Sequence, residues 1–300
     1  MARSNVLETA YRIRRQLTSS FRPVQLQLLA DIASGDTTVQ FTSALPAGLQ
    51  VGSTLGVDLE LCRVLTVDTD NNQVTVLRGY MDSTPAAHTA GALVDVDARF
   101  PLLDIVEAMR TEIMSWGPQL FYVDSDTFAV PTTAQSYELP VAWADMLGVV
   151  SVLQSDDLGD NTSWPRIDCK LVRGTAAGFD GAPTSGILLR FTESIRTGSV
   201  YVVAALPYDL LELDVTLDFI DDYHLSPGMV ELVELGAKKR LVTDGQYERI
   251  ERQPLEPQRF GENTLLQTIA GMIQMFDASY RLRKQQEINK LRRLYPLRMT

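Results

Sequence analysis

The chain has 300 residues, 45% of them hydrophobic and 22% charged, an ordinary balance for a folded chain with room for about two cores. Its net charge of −11 argues against a nucleic-acid-binding surface, and two cysteines without a CxxC pair rule out a disulfide framework. Residues 1–17 lack the apolar stretch of a secretory signal, and no apolar run reaches the roughly 18 residues of a membrane span, so synthesis in a reducing cytoplasm and no membrane contact are expected.

The first helix is predicted from Asn5, a capping residue followed by Glu8 at the capping-box spacing. Val6, Ala10, Ile13 and Leu17 recur at helical spacing, and the helix should end at Thr18 to Phe21, before Pro23. Residues 36–96 then read as a small all-β module of about five strands, rich in β-branched residues and regularly spaced turns. Leu55–Val67 is expected as one strand, with Val57, Leu59 and Leu61 alternating against Asp58, Glu60 and Cys62. Asp70-Asn71-Asn72 turns the chain back into Val74–Leu77. A second helix is predicted after Pro101, on the stripe Leu102, Val106, Met109, Ile113 and Trp116, and Gly117-Pro118 stops it.

Five short strands follow, at Tyr137–Leu139, Met146–Leu153, Ile167–Val172, Ile187–Phe191 and Val200–Ala205. They are joined by polar loops such as DDLGDNTSW and GTAAGFDGAPTSG, a pattern that suggests a sandwich or open barrel. Ser226 and Pro227 start another helix on Met229, Val233, Ala237 and Leu241, expected to break at Asp244-Gly245, with a shorter helix through Tyr247 to Arg252. PLEP interrupts the chain. A long last helix from about Thr264 to Leu294 carries Leu265, Ile269, Met272, Phe276, Tyr280, Ile288, Leu291 and Leu294 near one face.

The fold class expected is therefore α+β: a helical module holding an inserted small β module, and a β-sandwich-like domain. The domains would be 1–35 with 97–119 (N-terminal helices), 36–96 (β module), 120–222 (sandwich) and 223–300 (C-terminal helices with a basic end).

Charge is unevenly spread. Residues 1–22 carry +4 and residues 281–300 carry +6, which leaves −21 for the 258 residues between. Basic ends on an acidic body suit contact with an acidic partner or with another copy of the chain. The basic candidates, grouped with Tyr280 as a contact surface, are Arg281, Arg283, Lys284, Lys290, Arg292, Arg293 and Arg298. The acidic candidates are Asp209, Glu212, Asp214, Asp218, Asp221 and Asp222, in a stretch without Lys or Arg. They read as a solvated face, a docking surface for basic termini of a neighbour, or a channel lining that repels a DNA backbone.

Chemistry is sparse. No GxSxG elbow, phosphate-binding loop or dinucleotide fingerprint occurs. The only histidines are His88 and His224. Asp221, Asp222 and His224 could hold a cation or act as an acid–base set, but read more simply as a polar loop before the Ser226 cap. His88 is expected to brace a turn. No catalytic residue, metal or cofactor is expected, and the chain is read as not an enzyme.

The run Arg78-Gly79-Tyr80, Ser83-Thr84, Ala86-Ala87-His88 and Gly91-Ala92 carries a resemblance to a β module of tailed-phage virion proteins. Tyr137-Glu138-Leu139-Pro140 and the segment SPGMVELVELGAKKRL extend it, because the element order resembles the head-to-tail adaptor family, also called connector or neck proteins. That resemblance implies a ring, usually of twelve subunits, between portal and tail. The ring would continue the DNA channel, with Tyr280 to Thr300 reaching the portal protein and another face meeting the next neck or tail protein. The alternatives are another neck or tail component, such as a stopper, tail terminator or minor tail protein, and, further off, a tail-associated glycan-binding or hydrolytic module.

Overall fold

The computed structural model describes residues 5–18, 24–130, 134–156, 166–173, 186–195, 198–210, 213–252 and 262–296. The fold is α+β, with helices at both ends and sheets of three to six strands. Two compact units divide the chain. One takes Met1–Glu112 and Leu211–Arg281, the other Ile113–Leu210 and Leu282–Thr300.

In the first unit, α1 (Val6–Leu17) starts at Asn5, whose side-chain oxygen accepts the N–H groups of Leu7 (2.9 Å) and Glu8 (3.3 Å). Val6, Ala10 and Ile13 are buried as the periodicity requires, and Thr18 closes the helix. The β module has six strands: β1 (Val24–Gln27), β2 (Thr38–Gln40), β3 (Thr54–Val57), β4 (Glu60–Asp68), β5 (Gln73–Leu77) and β6 (Leu93–Val96), in the antiparallel order β1-β6-β3-β4-β5-β2. Its two edge strands meet. Leu29 N–H donates to Gln40 O (2.9 Å) and Thr42 N–H to Gln27 O (3.0 Å), so the sheet curls toward a small barrel around Leu28, Phe41, Leu55, Val64, Val76 and Val94.

Two features of this module correct the sequence reading. It begins at Val24, not at residue 36: β1 pairs with β6 through Val24–Val96 to Gln27–Leu93. The signal was the alternation in VQLQL, which puts Leu26 and Leu28 inward between glutamines. The expected single strand Leu55–Val67 is instead two strands. The chain reverses at Asp58-Leu59, Asp58 takes φ 51°, and Val57 pairs with Glu60. That reversal sends Glu60 inward, whereas unbroken alternation would leave it on the face of Asp58. The β4–β5 turn is as expected: Asp68 accepts the N–H groups of Asp70 (3.1 Å) and Asn71 (3.2 Å), and Asn72 adopts φ 51°.

Helix α2 (Leu102–Met114) follows Pro101, and all five residues of its predicted stripe are buried. Helix α3 (Pro227–Arg252) begins at Ser226, whose hydroxyl accepts Met229 N–H at 3.3 Å, and buries Met229, Val233, Ala237 and Leu241. It does not break at Asp244-Gly245. One interior glycine costs a helix only about 1 kcal/mol, which neighbouring turns absorb. Helix α4 (Glu262–Leu294) has 33 residues and is about 50 Å long. The PLEP segment lies outside the described residues.

The second unit holds β7 (Phe121–Val130), β8 (Ala134–Glu138), β9 (Gly148–Asp156), β10 (Cys169–Arg173), β11 (Ile187–Ile195) and β12 (Gly198–Pro207). They form two three-stranded antiparallel sheets, β10-β11-β8 and β7-β12-β9, over one core that includes Leu139, Trp143, Met146, Leu189, Val202 and Ala204. All five predicted strands are present. The sixth, β7, was not foreseen, because Asp124, Ser125 and Asp126 interrupt its apolar pattern. It is an edge strand, and the Asp124 and Asp126 carboxylates accept the N–H groups of Ser125 (2.8 Å) and Thr127 (2.7 Å). Those bonds occupy amides that would otherwise template a further strand. Apart from Asp156 and Gly186, the two long polar loops of this unit lie outside the described residues.

Candidate assembly surfaces and the polar networks behind them

The run that carried the resemblance, Arg78 to Ala92, is organised around Glu60. Glu60 is 1% exposed, yet its carboxylate accepts five hydrogen bonds at 3.3 Å or less: Arg78 Nε (2.5 Å) and Nη2 (2.6 Å), Ala86 N–H (3.0 Å), Gly79 N–H (3.3 Å) and His88 Nε2 (3.0 Å). Arg78 also donates to the carbonyls of Ala33, Asp36 and Ala86. The other His88 nitrogen faces Asp58 Oδ2 at 3.1 Å. Ser83 Oγ accepts Leu61 N–H at 2.9 Å. Burial opposes ionisation of Glu60, but the bonds from Arg78, Ala86 and His88 outweigh it and hold its pKa at about 2. The same burial, with Glu60 alongside, pushes the Cys62 thiol up to about 12, so this cysteine is an inert core residue. His88 thus braces a loop, with the carboxylate behind it hidden from sequence reading.

This clamp fixes an unusual tip. Gly79, Met81 and Asp82 all take left-handed conformations, at φ 65°, 54° and 60°. Met81 is 63% exposed. A Cβ at Gly79 would sit 2.9 Å from Ser83 O, so this turn requires glycine.

A second buried carboxylate organises the helices. Glu112 of α2 is 4% exposed and lies against Gly236 of α3, where an added Cβ would come within 2.6 Å of Oε2. Glu112 accepts Arg240 Nε (3.0 Å) and the Tyr280 hydroxyl (2.5 Å). Beside it, Lys239 pairs with Asp277 (2.5 Å) and stands 5.7 Å from the Tyr280 ring centroid. That hydrogen bond from Lys239 holds the Asp277 carboxyl below its ordinary value. Two N-terminal basic residues are similarly engaged: Arg12 pairs with Glu234, and Arg14 with Asp95, both at 2.5 Å.

The basic candidates separate accordingly. Tyr280 is half-buried against Glu112 and is an anchor within its unit, not an offered contact. Arg281 is exposed and pairs with Asp277 at 2.7 Å along the helix. Glu287 is buried, with Arg283 at 4.0 Å and Lys290 at 3.7 Å. Lys284 is half-buried, while Arg292 and Arg293 are exposed. Arg298 lies outside the described residues. Of the residues placed near one face of α4, Ile288 and Leu291 are buried and Leu294 is 59% exposed; the side chains of Leu265, Ile269 and Met272 lie outside the described residues.

The acidic candidates also divide. Asp209 belongs to the sandwich unit and the others to the helical unit. Glu212 lies outside the described residues. Asp214 accepts Thr216 N–H (2.8 Å) and its hydroxyl (2.7 Å), Asp218 accepts Ile220 N–H (2.8 Å), and Asp222 accepts Asp218 N–H (2.7 Å). Asn5 ties the turn to α1, donating to Thr216 O and Leu217 O at 3.2 Å. Asp221, Asp222 and His224 are exposed members of this polar turn. Among the described residues, no group of three or more His, Cys, Asp or Glu is placed to hold a metal ion, and no helix is long and apolar enough to cross a membrane.

No protein-family model matches the chain, and no curated protein matches it.

Proposed function

We propose that the chain is a structural component of a tailed-phage virion, a head-to-tail adaptor acting without catalysis. Copies would form a ring, twelve-fold in this reading, between portal and tail. The ring continues the DNA channel without reading sequence and presents a face to the next neck or tail protein. Two things support the reading: the resemblance of the Arg78–Ala92 run to virion β modules, and the order α1, β module, α2, sandwich, α3, α4. The observation that carries it is α4, a helix of 33 residues anchored at Tyr280 and Asp277, with exposed Arg281, Arg292 and Arg293 toward its end. Such a basic helix end suits an acidic neighbour in an assembly better than any solution chemistry.

Electron microscopy of the virion neck, at a resolution that traces helices, tests this. The expected density is a twelve-fold ring of this chain between portal and tail. A six-fold ring seated on the tail tube would make it a stopper or terminator instead. A neck and tail containing no copy of the chain would end the virion reading.

A further inference from the structure

We infer that the basic end of α4 docks on the acidic turn 214–222 of a second copy of this chain. The inference rests on the adaptor reading and names the neighbour that α4 meets: the adjacent subunit, not the portal to which the resemblance assigns it.

The helix end supplies one half of the contact. Leu282 is 64% exposed and stands about half a turn away from buried Leu291. Arg293 follows Leu282 by close to three full turns and so shares its face, flanked by exposed Arg292. An exposed apolar side chain and, about 16 Å further along the helix, two cations are thus turned away from the buried stripe. Residues 281–300 sum to +6.

The turn supplies the complement. Residues 204–237 hold eight acidic side chains and no Lys or Arg. Asp214, Asp221 and Asp222 are exposed, and so is Ile220, at 37%. These carboxylates do not need ordering on contact, because the bonds from Thr216 and Asp218 N–H already fix Asp214 and Asp222. Those from Thr216 also hold the Asp214 carboxyl below its ordinary value, so it keeps its charge. A fixed array loses less side-chain entropy on binding than a mobile one. Both charge patches occur once per chain and are different surfaces. Their pairing is therefore head-to-tail, the kind of contact that closes into a ring when the rotation permits.

The test uses the full-length chain in sedimentation and light scattering, with two charge reversals. One is Arg292→Glu with Arg293→Glu; the other is Asp221→Lys with Asp222→Lys. Wild type is expected to associate at low ionic strength and to dissociate near 1 M salt, where the Debye length falls to roughly 3 Å. Each reversal should weaken self-association by about tenfold or more. Mixing the two variants should restore association beyond a pair, since the intact end of one meets the intact turn of the other and the reversed end meets the reversed turn. A chain carrying both reversals should associate again. Circular dichroism melts matching wild type will show that these exposed substitutions leave the fold intact. A monomeric wild type, variants that associate like wild type, or a mixture that goes no further than a pair would each overturn the inference. Binding of the chain to isolated portal rings is measured separately. A monomer that still decorates portals would sink this contact and leave the adaptor reading standing; an oligomer that ignores portals would do the reverse.

Discussion

The hydroxyl of Tyr280 on α4 lies 2.5 Å from the Glu112 carboxylate on α2, two residues separated by 168 positions in the chain. Arg240 of α3 holds the other oxygen of the same carboxylate. Three helices therefore meet at one buried charge. Tyr280→Phe removes a bond to a charged acceptor and should cost about 1.5–3 kcal/mol, read by urea unfolding. An unchanged midpoint would mean that the bond is not formed in solution.

Gly236 gives an independent handle on the same junction. Its replacement by alanine would raise intrinsic helix propensity, yet the new methyl would overlap the Glu112 carboxyl. The clash should dominate, making Gly236→Ala less stable by about 1–3 kcal/mol. A stabilised variant would show that Glu112 can move aside.

The Glu60 cluster predicts a pH dependence. Its folded pKa, about 2, lies below the ordinary value of 4.5, so its contribution to stability is fully present above that value. It is lost as pH falls from about 4.5 toward 2, because the unfolded state then binds more protons than the folded one. Protection of the Leu61 and Ala86 N–H groups against hydrogen exchange, taken relative to the intrinsic rate at each pH, should fall across that window in wild type, and Glu60→Gln should flatten the response. Arg78→Leu, which strands the buried carboxylate, should cost about 3–5 kcal/mol at neutral pH. An Arg78→Leu protein as stable as wild type would contradict the assignment of Arg78 as the main counter-charge.

Met81 stands exposed at φ 54°, a region that costs a non-glycine residue roughly 1–2 kcal/mol. Met81→Gly relieves that strain but adds freedom to the unfolded chain, for a net gain of about 0.5–1 kcal/mol by thermal unfolding. A loss would show that the Met81 side chain packs against the module.

Strand β7 tests edge protection. Asp126→Val frees the Thr127 N–H and adds a β-branched residue at an open edge. Concentration-dependent aggregation, followed by light scattering, should appear in this variant and not in wild type. Equal solubility would mean that other features guard the edge.

Periodicity with cap and stop residues located the four described helices, though it broke α3 at Asp244-Gly245, and most of the described strands. A helix stripe or an alternating strand needs only local burial, as Leu102 to Trp116 and Val200 to Ala205 illustrate. Cap chemistry marked Asn5 and Ser226 for the same reason: the donors they satisfy lie within three residues. The uneven charge of the two ends is likewise a property of the chain.

What tertiary structure alone decided begins where a residue's partner is distant. The tight reversal at Asp58-Leu59 has a single turn former, Asp58, which also fits the polar positions of the alternating pattern, so the split of one strand into two was not legible. With it went the inward path of Glu60 and the reason Arg78 and His88 sit where they do. Tyr280 read as part of a contact surface because its helix is basic; the structure makes it an anchor, because Glu112 stands beneath it. A buried charge is stable only through partners brought together by folding, and no local pattern records which ones those will be.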